Sequence, residues 1–173
     1  GEASVAGAIV VAAGFKEAGN QDLHYDLVST AKATGVRVIG PNVNGMVSPH
    51  EGLNLLDIDV PAGNVALLLQ SGNVAVDLIN EAVIRGAPGI SYYVPIGNEA
   101  ELQIYEYLRF FDKDERTEAI AVFVEGMSDG RAVLEAAADV AHRTPVAIIK
   151  GGRSVAAEAN ASTHTASLVG DHD

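Results

Sequence analysis

The sequence predicts an α/β fold in which a parallel sheet is covered by helices on both faces. Short apolar runs, rich in β-branched residues and mostly without polar alternation, recur along the chain. Such runs are typical of strands that are buried on both faces. The segments between them show the apolar spacing of amphipathic helices. Strands that alternate with helices indicate β-α-β units and therefore a parallel sheet.

The apolar runs and the segments between them define the predicted elements. The last predicted helix has apolar residues at 133, 134, 137, 140 and 141, which form one stripe on a helical surface. The predicted strands cover residues 6–15, 36–40, 64–70, 89–96, 119–126 and 145–150. The predicted helices cover residues 22–34, 73–85, 100–111 and 130–142.

The stretch "SPHEGLNLLDIDVPAG" separates two parts of the chain. It has no helical period and contains two prolines and two glycines, so we predict that residues 48–62 are a linker. Residues 1–47 hold about two predicted strands and one helix, too few for a core of their own. Residues 63–173 hold four predicted strands and three helices and form the larger α/β unit.

The composition excludes several classes of function. The chain has 173 residues, 48% of them hydrophobic, a formal net charge of −12 and no cysteine. The lack of cysteine excludes a disulfide scaffold, a thiolate nucleophile and a cysteine-ligated zinc site. The acidic balance argues against a nucleic-acid partner. We find no signal peptide and no apolar run near the ~20 residues that cross a bilayer, so we expect a cytoplasmic protein without a membrane partner.

Polar residues follow the predicted strands of the larger unit. Each strand ends in a glycine-containing loop: "QSGN", "IGNEA", "EGMSDG" and "KGGRS". The carboxyl ends of parallel strands meet at one edge of a sheet, where ligands bind in open α/β folds. We therefore expect Ser71, Asn98, Glu125 and the segment 151–170 to converge.

Each of these residues fits both a structural and a chemical role. Ser71 and Asn73 fit a helix cap, and equally a helix N-terminus that binds an anion. Asn98 fits a plain turn. Glu125 fits an exposed loop carboxylate or an acceptor that orients an imidazole. His164 alone fits an ordinary loop histidine, and because no histidines are spaced as ligands on one helical turn, we predict no metal site.

Five motifs in order resemble a known family. "GPNVNG", "QSGN", "PIGN", "TEAIAVFVEG" and "STHTASLVG" are together similar to the NDP-forming acyl-CoA synthetases, which include the ADP-forming acetate–CoA ligases and the alpha subunit of succinyl-CoA synthetase. The resemblance implies that residues 1–47 are the C-terminal half of a CoA-binding Rossmann-like domain. It implies that residues 63–173 are a flavodoxin-like ligase domain with a phosphohistidine loop, and that the chain is a fragment that is inactive by itself.

The resemblance also implies the reaction and the residues that carry it. Acyl-CoA, phosphate and a nucleoside diphosphate give carboxylic acid, CoA and a nucleoside triphosphate, reversibly, through an acyl phosphate and a phosphohistidine. The implied roles are His164 as the phosphoryl carrier, Glu125 as its contact, Ser71, Gly72, Asn73, Gly97 and Asn98 as the phosphate site, and Gly40, Pro41 and Asn42 as part of the coenzyme A site.

The resemblance implies partners that lie outside this chain. They are an ATP-grasp domain or subunit that binds ATP/ADP or GTP/GDP with Mg²⁺, and further copies in an oligomer. Asn44, Gln103, Thr163 and Ala166 differ from the residues usual in the family. Two alternatives stay open: a non-catalytic CoA-sensing module of a larger fusion protein, and a flavin- or nucleotide-binding flavodoxin-like protein.

Overall fold

A short β-α-β unit opens the described part of the chain. The computed structural model describes residues 5–56 and 58–151. Strand β1 (Gly7–Ile9) pairs in parallel with β2 (Arg37–Ile39), and helix α1 (Gln21–Thr34) connects them. The strand predicted over residues 6–15 is shorter than expected. Its ladder ends where the Val10 amide donates to the Ile39 carbonyl at 2.9 Å, and the chain then turns toward α1.

The second sheet has six strands and is mostly parallel. Its order across the sheet is β4-β3-β6-β5-β7-β8, and the last four strands of that order run in parallel. The α/β class with a parallel sheet is therefore confirmed. The strands are β3 (Val47–Ser48), β4 (Leu53–Asn54), β5 (Ala62–Leu69), β6 (Ile90–Pro95), β7 (Ala119–Val124) and β8 (Val146–Lys150).

Three helices connect the parallel strands: α2 (Gly72–Ile84), α3 (Ile104–Phe111) and α4 (Gly130–Ala141). Asp129 caps α4, since its carboxylate accepts from the Ala132 amide at 2.9 Å. Helix α3 begins four residues later than predicted. Gln103 is still extended, with a φ of −101° and a ψ of 152°, and Gln103 with Glu106 forms the capping box that starts α3.

Strand β5 lies at the centre of the sheet and contributes side chains to two apolar layers. Ala66 and Leu68 pack with the buried residues of α3 and α4 on one face. Leu67 and Leu69 pack with Ala75 and Ile79 of α2 on the other face. Successive side chains of a strand point to opposite faces, so an uninterrupted apolar strand fills both layers. No helix in the described ranges is long and apolar enough to cross a membrane.

The predicted linker contributes strands to the larger sheet. Strands β3 and β4 form an antiparallel pair at its edge, and Val47 pairs with Tyr93 of β6. Ser48, the first residue of the segment, is 2% exposed, so this end of the segment is buried in the protein. Strands of two residues are too short to show a period in the sequence, which is why residues 48–62 carried no strand prediction. The domain boundaries at 47 and 62 stay predictions.

The two units meet at the loop that follows β6. The Asn98 amide donates to the Pro41 carbonyl at 2.9 Å, and the Ala100 amide donates to the Gly40 carbonyl at 3.2 Å. Gly97 has a φ of 57°, and a Cβ added there would lie 2.2 Å from the Pro41 carbonyl oxygen. Only glycine allows this backbone contact.

We expect Gly97→Ala to destabilise the protein much more than Gly86→Ala. Gly86 has a similar φ of 64°, but a Cβ there meets nothing within 4 Å. The control should lose about 1 kcal/mol of unfolding free energy, from backbone strain alone. Gly97→Ala adds the clash with Pro41 and should lose about 3 kcal/mol or more. Urea denaturation measures both losses, and equal losses would show that the close contact does not matter.

Candidate functional site

The loops after the four parallel strands lie side by side at one edge of the sheet. The backbone shows this directly, because each strand end bonds to its neighbour. The Gln70 amide donates to the Phe123 carbonyl at 2.9 Å, and the Ile96 amide donates to the Leu69 carbonyl at 3.0 Å. The Gly151 amide donates to the Val124 carbonyl at 2.8 Å. The loops that carry Ser71, Asn98 and Glu125 therefore start within one short edge.

The Gln70 side chain joins three of these strand ends. Its Oε1 accepts from the Glu125 amide at 2.6 Å and from the Gly126 amide at 3.0 Å. Its Nε2 donates to the Gly97 carbonyl at 3.4 Å. One amide group thus satisfies backbone groups that leave the sheet and would otherwise lack partners. Gln70 holds the backbone of Glu125 beside the start of α2.

Ser71 is the N-cap of α2. Its hydroxyl oxygen accepts from the Val74 amide over a long distance of 3.5 Å, so the capping role is present. A hydroxyl that accepts one hydrogen bond still has a proton to donate. The first turn of α2 contains no acidic residue, and the helix dipole favours an anion there. Asn73 is exposed in this turn.

Asn44 supports the start of α2 from the first unit. Its Nδ2 donates to the Gly72 carbonyl at 3.4 Å, and its Oδ1 accepts from the Tyr93 hydroxyl at 2.7 Å. Burial raises the pKa of the Tyr93 phenol above its usual range, so this hydroxyl stays a donor near neutral pH. Asn44 therefore bridges the sheet and the helix.

Glu125 directly follows β7 and is partly buried. The Lys150 ammonium lies beside it, with Nζ 3.3 Å from the Glu125 carbonyl and 3.4 Å from the Gly151 carbonyl. A cation at this edge offsets negative charge nearby. At this edge of the sheet, the described residues thus provide the N-terminus of α2, the Glu125 carboxylate and the Lys150 ammonium.

Asn98 faces the first unit. It is 3% exposed, and its side-chain amide donates to the Glu17 carboxylate. Burial alone would raise the pKa of Glu17, but hydrogen bonds from Asn98 and the Gly14 amide outweigh it and lower that pKa. Asn98 and Gly97 therefore pack the junction between the units. The phosphate contacts predicted for them stay predictions.

The "GPNVNG" element lies at the same junction. Gly40 and Pro41 are buried, and both carbonyls accept hydrogen bonds from the loop after β6. Asn42 is partly buried with a φ of 62°, and its amide donates to the Ala12 carbonyl at 3.0 Å. The coenzyme A contacts predicted for Gly40, Pro41 and Asn42 stay predictions.

The sequence predicts His164 as the phosphoryl carrier. His164, with Thr163 and Ala166, lies outside the described residues. Within residues 5–56 and 58–151, no group of three or more His, Asp or Glu side chains could hold a metal ion.

Three residues at this edge were missed by the sequence analysis. They are Gln70, Lys150 and the buried Glu99. Each is polar and lies at or just after the end of an apolar strand run, where a buried polar group needs a defined partner. A polar residue at the end of an apolar run is therefore the sequence feature that could have identified these three residues.

Comparisons with known proteins agree with the geometry. A family described as succinyl-CoA ligase like flavodoxin domain matches residues 62–173. Acetate–CoA ligase [ADP-forming] I of Archaeoglobus fulgidus is 37% identical over 177 aligned residues, covering 100% of this chain and 26% of that protein. Acetate–CoA ligase [ADP-forming] I subunit alpha of Pyrococcus furiosus is 36% identical, covering 93% of this chain and 36% of that subunit.

A solved structure is similar over nearly the whole chain. It is dinucleotide forming acetyl-coenzyme A synthetase 1 of Ca. Korarchaeum cryptofilum in complex with phosphate and ADP, with a TM-score of 0.86 and 38% identity. The match covers 95% of this chain and 36% of that one, so the chain spans a minor part of the relatives that it matches. The family resemblance seen in the motifs is confirmed: the chain belongs to the succinyl-CoA ligase-like flavodoxin domain family, among the NDP-forming acyl-CoA synthetases.

Proposed function

We propose that the protein containing this chain is an NDP-forming acyl-CoA ligase that acts on acyl-CoA and phosphate with ADP as acceptor. The relatives reported above carry the names of ADP-forming acetate–CoA ligases, which supports a small carboxylic acid and ADP. These relatives are ligases, so they lend no support to a regulatory CoA-sensing module.

One observation carries the proposal. The Oε1 atom of Gln70 accepts from the Glu125 amide at 2.6 Å, and Ser71, the next residue, opens α2. A helix N-terminus that favours an anion and a carboxylate suited to orient an imidazole are thus held by the same short segment. Phosphoryl transfer depends mainly on positioning and charge stabilisation, and this segment supplies both.

The reaction proceeds in three steps. A phosphate oxygen attacks the thioester carbonyl, the C–S bond breaks and CoA leaves as a thiolate, which gives an acyl phosphate. A nitrogen of His164 then attacks phosphorus, the P–O bond to the acyl group breaks and the carboxylate leaves. Finally, a terminal oxygen of ADP attacks phosphorus, the N–P bond breaks and ATP forms.

The residues of this chain divide the work in the first two steps. The backbone amides of Gly72 and Asn73 and the Ser71 hydroxyl hold phosphate at the start of α2, with Gly97 and Asn98 forming the wall beside it. Glu125 accepts from one ring nitrogen of His164, which leaves the other nitrogen free to attack. Lys150 offsets the negative charge that gathers at this edge.

Coenzyme A and the nucleotide bind to other parts of the protein. The first unit, with Gly40, Pro41 and Asn42 at the junction, contributes to the coenzyme A site. An ATP-grasp domain or subunit binds the nucleotide, and Mg²⁺ belongs with that part. A relative named as a subunit alpha supports a separate partner chain, and we propose an oligomer of such parts.

We predict that His164→Asn abolishes phosphorylation and ligase activity. Asparagine keeps a polar side chain but removes the nucleophile. The full-length protein is incubated with labelled nucleoside triphosphate, and the acid-labile, base-stable adduct is mapped by peptide. The control is His142→Asn, since His142 is an exposed residue at the end of α4 and should keep full labelling. Label retained in the His164 variant, or mapped to another histidine, refutes the assignment.

We predict that Ser71→Ala weakens phosphate binding by about 1 kcal/mol, roughly fivefold, the size of one hydrogen bond. Because Ser71 also caps α2, the matched control is Asn20→Ala, which removes the side chain that accepts from the Leu23 amide at the start of α1. Both variants should lose about 1 kcal/mol of stability. Only Ser71→Ala should raise the phosphate concentration for half-maximal rate. The same increase in both variants would mean that capping, not phosphate contact, explains it.

A further inference from the structure

Glu99 is a buried carboxylate that the proposed reaction leaves unexplained. It is 5% exposed, and glutamate is rarely buried to this extent without partners. Its φ of 52° places a non-glycine residue in the left-handed region, a strained conformation that persists only where surrounding contacts determine it. Every residue from 96 to 100 is buried, so this charged side chain lies inside the protein and its burial calls for a reason.

Three donors converge on the Glu99 carboxylate. Oε1 accepts from the Ile104 amide at 3.1 Å. Oε2 accepts from the Ser128 amide at 3.0 Å and from the Ser128 hydroxyl at 2.8 Å. The Lys16 charge also faces it: burial lowers the pKa of the Lys16 ammonium, and the negative charges of Glu99 and Glu17 counteract that effect.

These bonds tie two strand-end loops together. Glu99 lies in the loop after β6, whereas Ser128 lies three residues after Glu125 in the loop after β7. Gln70 holds the start of that second loop through the Glu125 and Gly126 amides. Side-chain acceptors therefore hold residues 125–128 at both ends, and Glu125 is the first residue of this held segment.

We propose that Glu99 is a positioning residue that sets the place of Glu125 in the phosphoryl-transfer site. The inference rests on the proposed function, because it gives Glu125 the role of orienting His164. Glu99 touches no reacting atom and acts through Ser128 and the loop backbone. Residues that orient the ligands of a metal site typically change activity by about 10–100-fold when they are replaced, and we expect an effect of that size for Glu99.

The hydrogen bonds that Glu99 accepts from Ile104 and Ser128 require a carboxylate. All three partners are hydrogen-bond donors, and an ionised carboxylate only accepts. A glutamine at this position would direct its NH₂ group at either the Ile104 amide or the Ser128 donors, whichever way the side chain is turned. Glu99→Gln therefore keeps the size of the side chain and breaks the hydrogen bonds either to Ile104 or to Ser128.

The test is a double-mutant cycle in the full-length protein. Acetyl-CoA and labelled inorganic phosphate are mixed with enzyme, and the single-turnover rate of His164 labelling is measured for Glu99→Gln, Glu125→Gln and the double variant. We expect Glu99→Gln to slow labelling about 10–100-fold. In the Glu125→Gln background the same change should cost no more than about twofold, because coupled residues are not additive.

Glu106→Gln is the matched control. Glu106 is also a carboxylate that accepts from a backbone amide, that of Gln103 at 3.0 Å, and it pairs with Arg37 at 2.7 Å. No contact joins it to the loop after β7 among the hydrogen bonds of the described residues. Glu106→Gln should leave the labelling rate within about twofold, since an outer hydrogen bond matters to the rate only when it positions a reacting group.

The outcomes separate this inference from the proposed function. If Glu125→Gln slows labelling and Glu99→Gln does not, or if the two effects multiply fully, the positioning role is wrong and the function stands. If wild-type His164 takes no label, both are wrong. Should Glu99→Gln fail to fold, Ser128→Ala removes only the hydroxyl bond and should slow labelling about fivefold, an effect that must vanish in the Glu125→Gln background.

Discussion

The site depends on the hydrogen bonds of one side chain, Gln70, at the end of the central strand. Strand β5 has a parallel neighbour on each side, so Gln70, the residue that follows the strand, can reach the loops of both. Gln70 bonds to the Glu125 and Gly126 amides on one side and to the Gly97 carbonyl on the other. An amide group suits this place because it accepts and donates at once.

The loop after β6 serves two purposes within three residues. Gly97 and Asn98 hold the first unit through Pro41 and Glu17, and Glu99 holds the loop after β7. The backbone has positive φ at both Gly97 and Glu99. Glycine adopts this conformation readily, but at Glu99 it persists only where surrounding contacts determine it. The same turn therefore connects the first unit to the site and orders the site itself.

The candidate phosphate site can bind an anion even though the protein is strongly acidic overall. With a formal net charge of −12, the surface as a whole repels anions. The candidate phosphate site relies on backbone amides and the dipole of α2, and the Lys150 ammonium adds one local positive charge beside Glu125. Local donors of this kind bind an anion without a basic surface.

The sequence alone determined the class of fold, the family and the edge at which the site lies. Strands such as β5 can be recognised in the sequence as uninterrupted apolar runs because both of their faces are buried. The glycine-containing loops after these strands indicated the edge of the sheet at which the site lies. Tertiary structure decided the rest. Strands β3 and β4 exist through pairing with β6, and two-residue strands have no readable period. The roles of Gln70, Asn98 and Glu99 depend on partners 27 to 81 residues away, and no local pattern encodes contacts over such separations.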